Sequence, residues 1–114
     1  MADVVYLVRD MLFTSKIREV ARQLGVSVAS ARDAAGLVEA ASGARLVVLD
    51  LRLDGALDAL ARLKQQPDLT GITTVGFVEH ERLDVMDAAR AAGISQVMAK
   101  GQFANALPKL LASP

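Results

Sequence analysis

A chain of 114 residues suits one domain with one core, and 53% hydrophobic against 23% charged residues excludes intrinsic disorder. Lys plus Arg equals Asp plus Glu at 13 each, so the basic excess of a phosphate-backbone binder is missing. With no cysteine and one histidine, His80, neither a disulfide, a zinc–thiolate site nor a His-rich metal site can be assembled.

Met1-Ala2-Asp3 carries no basic segment, and the apolar run behind it is too short for a signal peptide or a membrane span. The expectation is a soluble cytoplasmic protein. That run, Val4-Val5-Tyr6-Leu7-Val8, is rich in β-branched residues and predicts a first strand buried on both faces. Ile17, Val20, Ala21 and Leu24 then recur at helical spacing, with Gly25 as the stop. Ser27-Val28-Ala29 is a weaker strand candidate. An alanine-rich helix follows from Asp33 to Ala41. Leu46-Val47-Val48-Leu49 predicts the third strand, and Leu57, Leu60, Ala61 and Lys64 a helix that stops at Pro67. Thr73-Thr74-Val75-Gly76-Phe77-Val78 predicts the fourth strand. Val85, Ala88, Ala89 and Ala92 predict a helix ended by Gly93. Gln96-Val97-Met98 is the last strand candidate, and Ala104, Leu107, Leu110 and Leu111 close the chain as a helix. Strict strand–helix alternation implies right-handed crossovers and a doubly wound five-stranded parallel sheet, with helices on both faces and residues 1–114 in one domain.

One stretch competes with this scheme. "ARQLGVSVASAR", residues 21–32, has the small residue, glycine turn and second helix start of a helix-turn-helix DNA binder. Strand-like runs flank it on both sides, so "LGV" is better read as a helix end running into a strand. A nucleotide-binding enzyme also fits poorly. The turn "VRDMLF" has no glycines to cradle phosphate, and one histidine cannot complete a nucleophilic triad. We expect no enzyme, no nucleic-acid partner and no membrane partner.

Function on open α/β sheets gathers at the carboxyl ends of the strands. Arg9 and Asp10 follow the first strand, Asp50 the third, Glu79 and His80 the fourth, and Lys100 the fifth. Taken singly, Asp50 could cap a turn, Lys100 and Arg9 could be surface charges, and Glu79-His80-Glu81 could be a solvated loop. Together they carry a resemblance. "LVVLDLRLDG" resembles the phosphoacceptor segment of response-regulator receiver domains, and "VMAKG" their lysine segment. "AARAAGISQVMAKGQFANALPKLL" follows the last third of the family.

The resemblance spans the whole chain and implies the flavodoxin-like (βα)5 fold with strand order 2-1-3-4-5. It implies Asp50 as the phosphoacceptor position, Lys100 as the phosphoryl-pairing lysine and Asp10 as one of two magnesium-holding acids. Other positions depart. With Asp10 aligned to the second acid of the pair, Arg9 stands at the position of its acidic partner, Glu79 replaces a hydroxyl residue, Gly101 replaces a proline, and Val97 occupies the aromatic switch position. The loop after Asp50 is short. A one-residue shift of the first helix would put Arg9 in the place of Asp10, and the acid pair is incomplete in either register.

A guanidinium about 4 Å from Mg²⁺ is repelled by roughly 8 kcal/mol at an effective dielectric near 20. We therefore expect Arg9 to replace the metal by bridging Asp50 to Asp10 or Glu79, with no cofactor. Magnesium belongs only to the alternative, a conventional phosphorylated receiver using Asp50. The expected role is an atypical, stand-alone receiver in two-component signalling or a phosphorelay, acting through a protein partner. That partner is a histidine kinase, a downstream effector or a second copy in a homodimer. By family analogy the contact face comprises residues 82–92, 96–98 and 103–112.

Overall fold

Alternation within the apolar runs sends side chains to two separate cores. The computed structural model describes residues 2–112. In order these form β1 (Val4–Leu7), α1 (Met11–Leu24), β2 (Val28–Ser30), α2 (Ala34–Ala40), β3 (Leu46–Asp50), α3 (Ala56–Lys64), β4 (Thr73–Val78), α4 (Leu83–Ala91), β5 (Gln96–Ala99) and α5 (Lys100–Ala112). All strand pairs are parallel, and the sheet order is β2-β1-β3-β4-β5, as expected.

On one face, Val5, Leu7, Val47 and Leu49 pack with Leu37 of α2, Leu60 and Leu63 of α3 and Ala89 of α4. On the other, Val4, Tyr6, Val48, Val75 and Phe77 pack with Phe13 and Ile17 of α1 and Phe103, Leu107 and Leu111 of α5. Two-sided burial explains why β1 and β3 read as unbroken apolar runs rather than alternating ones. β2 lies at the sheet edge and is only partly buried, which is why its sequence signal is weak.

The segment 21–32 is not a helix-turn-helix. Gly25 takes the left-handed conformation, φ 72°, and caps α1 by donating its N–H to the Ala21 and Arg22 carbonyls. The chain then enters β2, hydrogen-bonded beside β1, so no second helix starts at Ser27. The structure also adds a short 3₁₀ turn at Pro67–Leu69, where the sequence reading placed only a helix stop. Among the described residues no helix is long and apolar enough to cross a membrane.

Candidate functional site

The parallel sheet brings the ends of β1, β3, β4 and β5 to one edge, and with them Asp10, Asp50, Glu79 and Lys100. Asp10 is the N-cap of α1. Its Oδ1 accepts from the amides of Leu12 at 3.0 Å and Phe13 at 3.3 Å, which fixes the carboxylate at the mouth of the site. Its Oδ2 accepts from Lys100 Nζ at 3.2 Å. Lys100 is the first residue of α5, with no loop between it and β5. Its ammonium stands 3.8 Å from Glu79 Oε2 and 5.7 Å from the centroid of the Phe13 ring. The same Glu79 oxygen pairs with Arg52 Nε at 3.2 Å. Asp10, Lys100, Glu79 and Arg52 thus form one chain of ion pairs.

Asp50 sits apart from that chain, though close to it in the fold. It ends β3, is 3% exposed, and accepts the Arg52 backbone N–H on Oδ1 at 3.1 Å. Among the described residues no cation pairs with its carboxylate. Lys100, the expected partner of a group on Asp50, is engaged by Asp10 and Glu79 instead.

The carboxyl groups respond to this setting. Burial acts to raise Asp10. The Lys100 hydrogen bond, the Phe13 and Leu12 amides and the ammonium charge outweigh it and hold the group below its ordinary 3.8. Glu79 lies below its ordinary 4.5, chiefly because its own backbone N–H donates to it. Partial burial opposes this, and the charges of Arg52, Lys100 and Arg82 add to it.

Arg9 does not make the expected bridge. It is exposed, and among the described residues it forms no ion pair or hydrogen bond through its side chain. Its place in the chain explains the difference. Arg9 lies past the end of β1 and borders two clefts, one with Leu7, Arg32 and Leu53 and one with Tyr6, Thr14 and Arg18. Asp10, the next residue, caps α1. The second cation of the site is Arg52, which the sequence reading missed. Its signal was available: it lies two residues after Asp50, in the loop opposite Glu79. His80 is exposed, and its imidazole meets Glu81 at 3.5 Å.

Magnesium is the ion that the sequence resemblance would place here. It needs near-octahedral oxygen donors, with one or two free carboxylates among them. Both oxygens of Asp10 are already engaged, and one oxygen of Glu79 is shared by two cations. Among the described residues no three acid or imidazole side chains converge as a ligand set. Of the three acids at this edge, Asp50 alone has no cation partner among the described residues.

No family model and no curated protein sequence matches this chain. Solved structures do. A response regulator from Hahella chejuensis superposes with a TM-score of 0.81 at 16% identity, over 98% of this chain and 93% of that one. A response-regulator receiver domain from Rhodospirillum rubrum gives 0.75 at 19% identity, over 96% and 90%. The receiver domain of a sensor histidine kinase from Pseudomonas aeruginosa PAO1, solved with magnesium coordinated in its active-site cleft, gives 0.76 at 17% identity, over 98% of both chains.

This chain has the receiver fold.

The likeness read from "LVVLDLRLDG" and "VMAKG" therefore holds for the architecture. On that receiver frame Asp50 ends β3 and Lys100 follows β5, the positions that the resemblance assigned to them. Arg52 and Glu79 face each other across the same site.

Proposed function

We propose that this chain is a signalling module of the receiver type that acts through protein contacts, without magnesium-dependent phosphorylation of Asp50. It is not an enzyme, and it uses no cofactor. The observation that carries this reading is the Asp10–Lys100–Glu79–Arg52 chain of ion pairs. Two protein cations pair with Asp10 and Glu79, two of the three acids at this edge. A magnesium ion brought in among them would meet both charges at close range, a cost of several kcal/mol each by the Coulomb estimate above. Glu79, tied to Arg52, also removes the hydroxyl through which a phosphoryl group would be sensed.

The partner is a protein: a histidine kinase, an effector or a second copy of this chain. The contact face is the one made by α4, β5 and α5, at residues 82–92, 96–98 and 103–112. The working compartment is the cytoplasm.

An NMR titration of labelled protein with magnesium, then with beryllofluoride as a phosphoryl mimic, tests the reading. The expected result is no movement of the Asp10, Asp50 and Lys100 amides at millimolar magnesium. Shifts at those amides that spread into α4 on adding beryllofluoride would establish the second reading, a phosphorylated receiver. The buried Asp50 carboxylate, free of any cation partner among the described residues, is the observation that favours that alternative.

A further inference from the structure

The chain has nine arginines, and six of them have partners. Arg22, Arg52, Arg62, Arg82 and Arg90 each pair with a carboxylate, and Arg45 donates to the Leu110 and Leu111 carbonyls. Arg9, Arg18 and Arg32 have none through their side chains among the described residues. All three line one cleft of about 380 Å³ between α1 and the β1–β2 edge. Tyr6, Thr14 and Ser30 line it too, and no carboxylate does. The Tyr6, Thr14 and Ser30 hydroxyls likewise have no hydrogen-bond partner among the described residues.

None of these three guanidinium groups is ion-paired among the described residues, and an anion between them would relieve their mutual repulsion. Guanidinium forks give phosphate oxygens bidentate, charge-assisted hydrogen bonds, and hydroxyls add further donors. Arg9 and Arg32 also border a second, larger cleft of about 700 Å³ at the ends of β1 and β3. Leu7, Ala34 and Leu53 give it an apolar floor. Its acids are largely occupied: Asp33 caps α2 and Asp58 pairs with Arg62, which leaves Asp54 as an acceptor. The two clefts meet at Arg9 and Arg32. Neither is lined by Asp10, Asp50, Glu79 or Lys100.

We propose that this pair of clefts binds a phosphorylated small molecule of nucleotide size. Its phosphates sit among Arg9, Arg18 and Arg32, and its organic part lies over Leu7 and Leu53. The larger cleft alone, about 700 Å³, falls within the range of small-ligand pockets. The position at the carboxyl ends of β1 and β3, where the strand order reverses, is where open parallel sheets hold ligands.

The test is calorimetry and NMR on the full chain with adenosine, inorganic pyrophosphate and ADP as probes, at constant ionic strength. ADP is expected to bind more tightly than pyrophosphate, and adenosine not measurably. The amides of residues 30–35 and 53–55 should shift, while those of Asp10 and Lys100 stay in place. Arg18 is exposed and remote from the larger cleft, so Arg18→Ala keeps the fold. It should weaken ADP and pyrophosphate alike by about tenfold, the loss of one charge-assisted contact. Unchanged affinity in Arg18→Ala, or no binding of either anion, would overturn the proposal. Equal affinity for pyrophosphate and ADP would overturn its nucleotide-sized ligand. Tighter binding of duplex DNA than of ADP would replace the small molecule by a nucleic acid.

Discussion

Lys100 Nζ serves two carboxylates at once, Asp10 at 3.2 Å and Glu79 at 3.8 Å. Lys100→Met removes the shared charge and keeps most of the apolar stem. Both carboxyl groups should then titrate at higher pH, as read by side-chain carbon shifts. The three side chains are between 22% and 32% exposed, so solvent screens the pair. The stability loss at neutral pH should be modest, roughly 0.5–1 kcal/mol by urea unfolding. If neither carboxyl moves in the variant, Lys100 does not neutralise the site.

The acid limb of stability follows from the same two groups. Each is held below its ordinary value in the folded chain, Asp10 below 3.8 and Glu79 below 4.5. The unfolded chain therefore takes up protons first as pH falls. The contribution is fully present above those ordinary values and is lost as pH drops through the folded ones. The urea midpoint should be flat near neutrality and fall in the acid range. In Lys100→Met that dependence should shrink. An equal acid slope in both proteins would assign the loss to other carboxylates.

Asp10 has a second duty as the cap of α1, and two substitutions separate the duties. Asp10→Ala leaves the Leu12 and Phe13 amides without an acceptor and should cost about 1–2 kcal/mol. Asp10→Asn keeps an oxygen for the amides but loses the charge facing Lys100. It should recover most of the stability while leaving the pH dependence reduced. Equal losses in the two variants would mean that the ion pair, not the cap, dominates.

Beneath Lys100, Phe13, Phe77 and Phe103 form one aromatic cluster. Centroids are 4.5 Å apart for Phe77–Phe103, 4.8 Å for Phe13–Phe77 and 5.7 Å for Phe13–Phe103. Phe103 is fully buried. Phe103→Ala opens a void between α1, α5 and the sheet, and should cost about 3–5 kcal/mol. Phe103→Leu should cost clearly less. A loss below about 1 kcal/mol for the alanine variant would show that the core collapses around the gap.

The fold was legible because burial on both faces wrote itself into the composition of β1, β3 and β4, and glycine marked the ends of α1 and α4. The edge strand β2 was faint because only part of it is buried. The site was legible as a set of strand ends, which placed Asp10, Asp50, Glu79 and Lys100 at one edge of the sheet. Its pairing was not. Whether Arg9 or Arg52 meets Glu79 depends on which way a side chain leaves the backbone just past a strand. Neighbouring residues there point to opposite faces, and a string of letters does not record where the alternation ends.

The direct join between β5 and α5 ties the acid pocket to a distant surface. The first residue of α5 carries the ammonium, and its last turn lies at the opposite end of the sheet, where Arg45 donates to the Leu110 and Leu111 carbonyls. The helix is therefore a rod gripped at both ends by charge. A slide along its axis by one residue's rise, about 1.5 Å, displaces the Lys100 backbone relative to Asp10 and Glu79. A protein that grasps the outer face of α5 holds a lever whose far tip rests among the acids, and the Lys100 amide would register the pull.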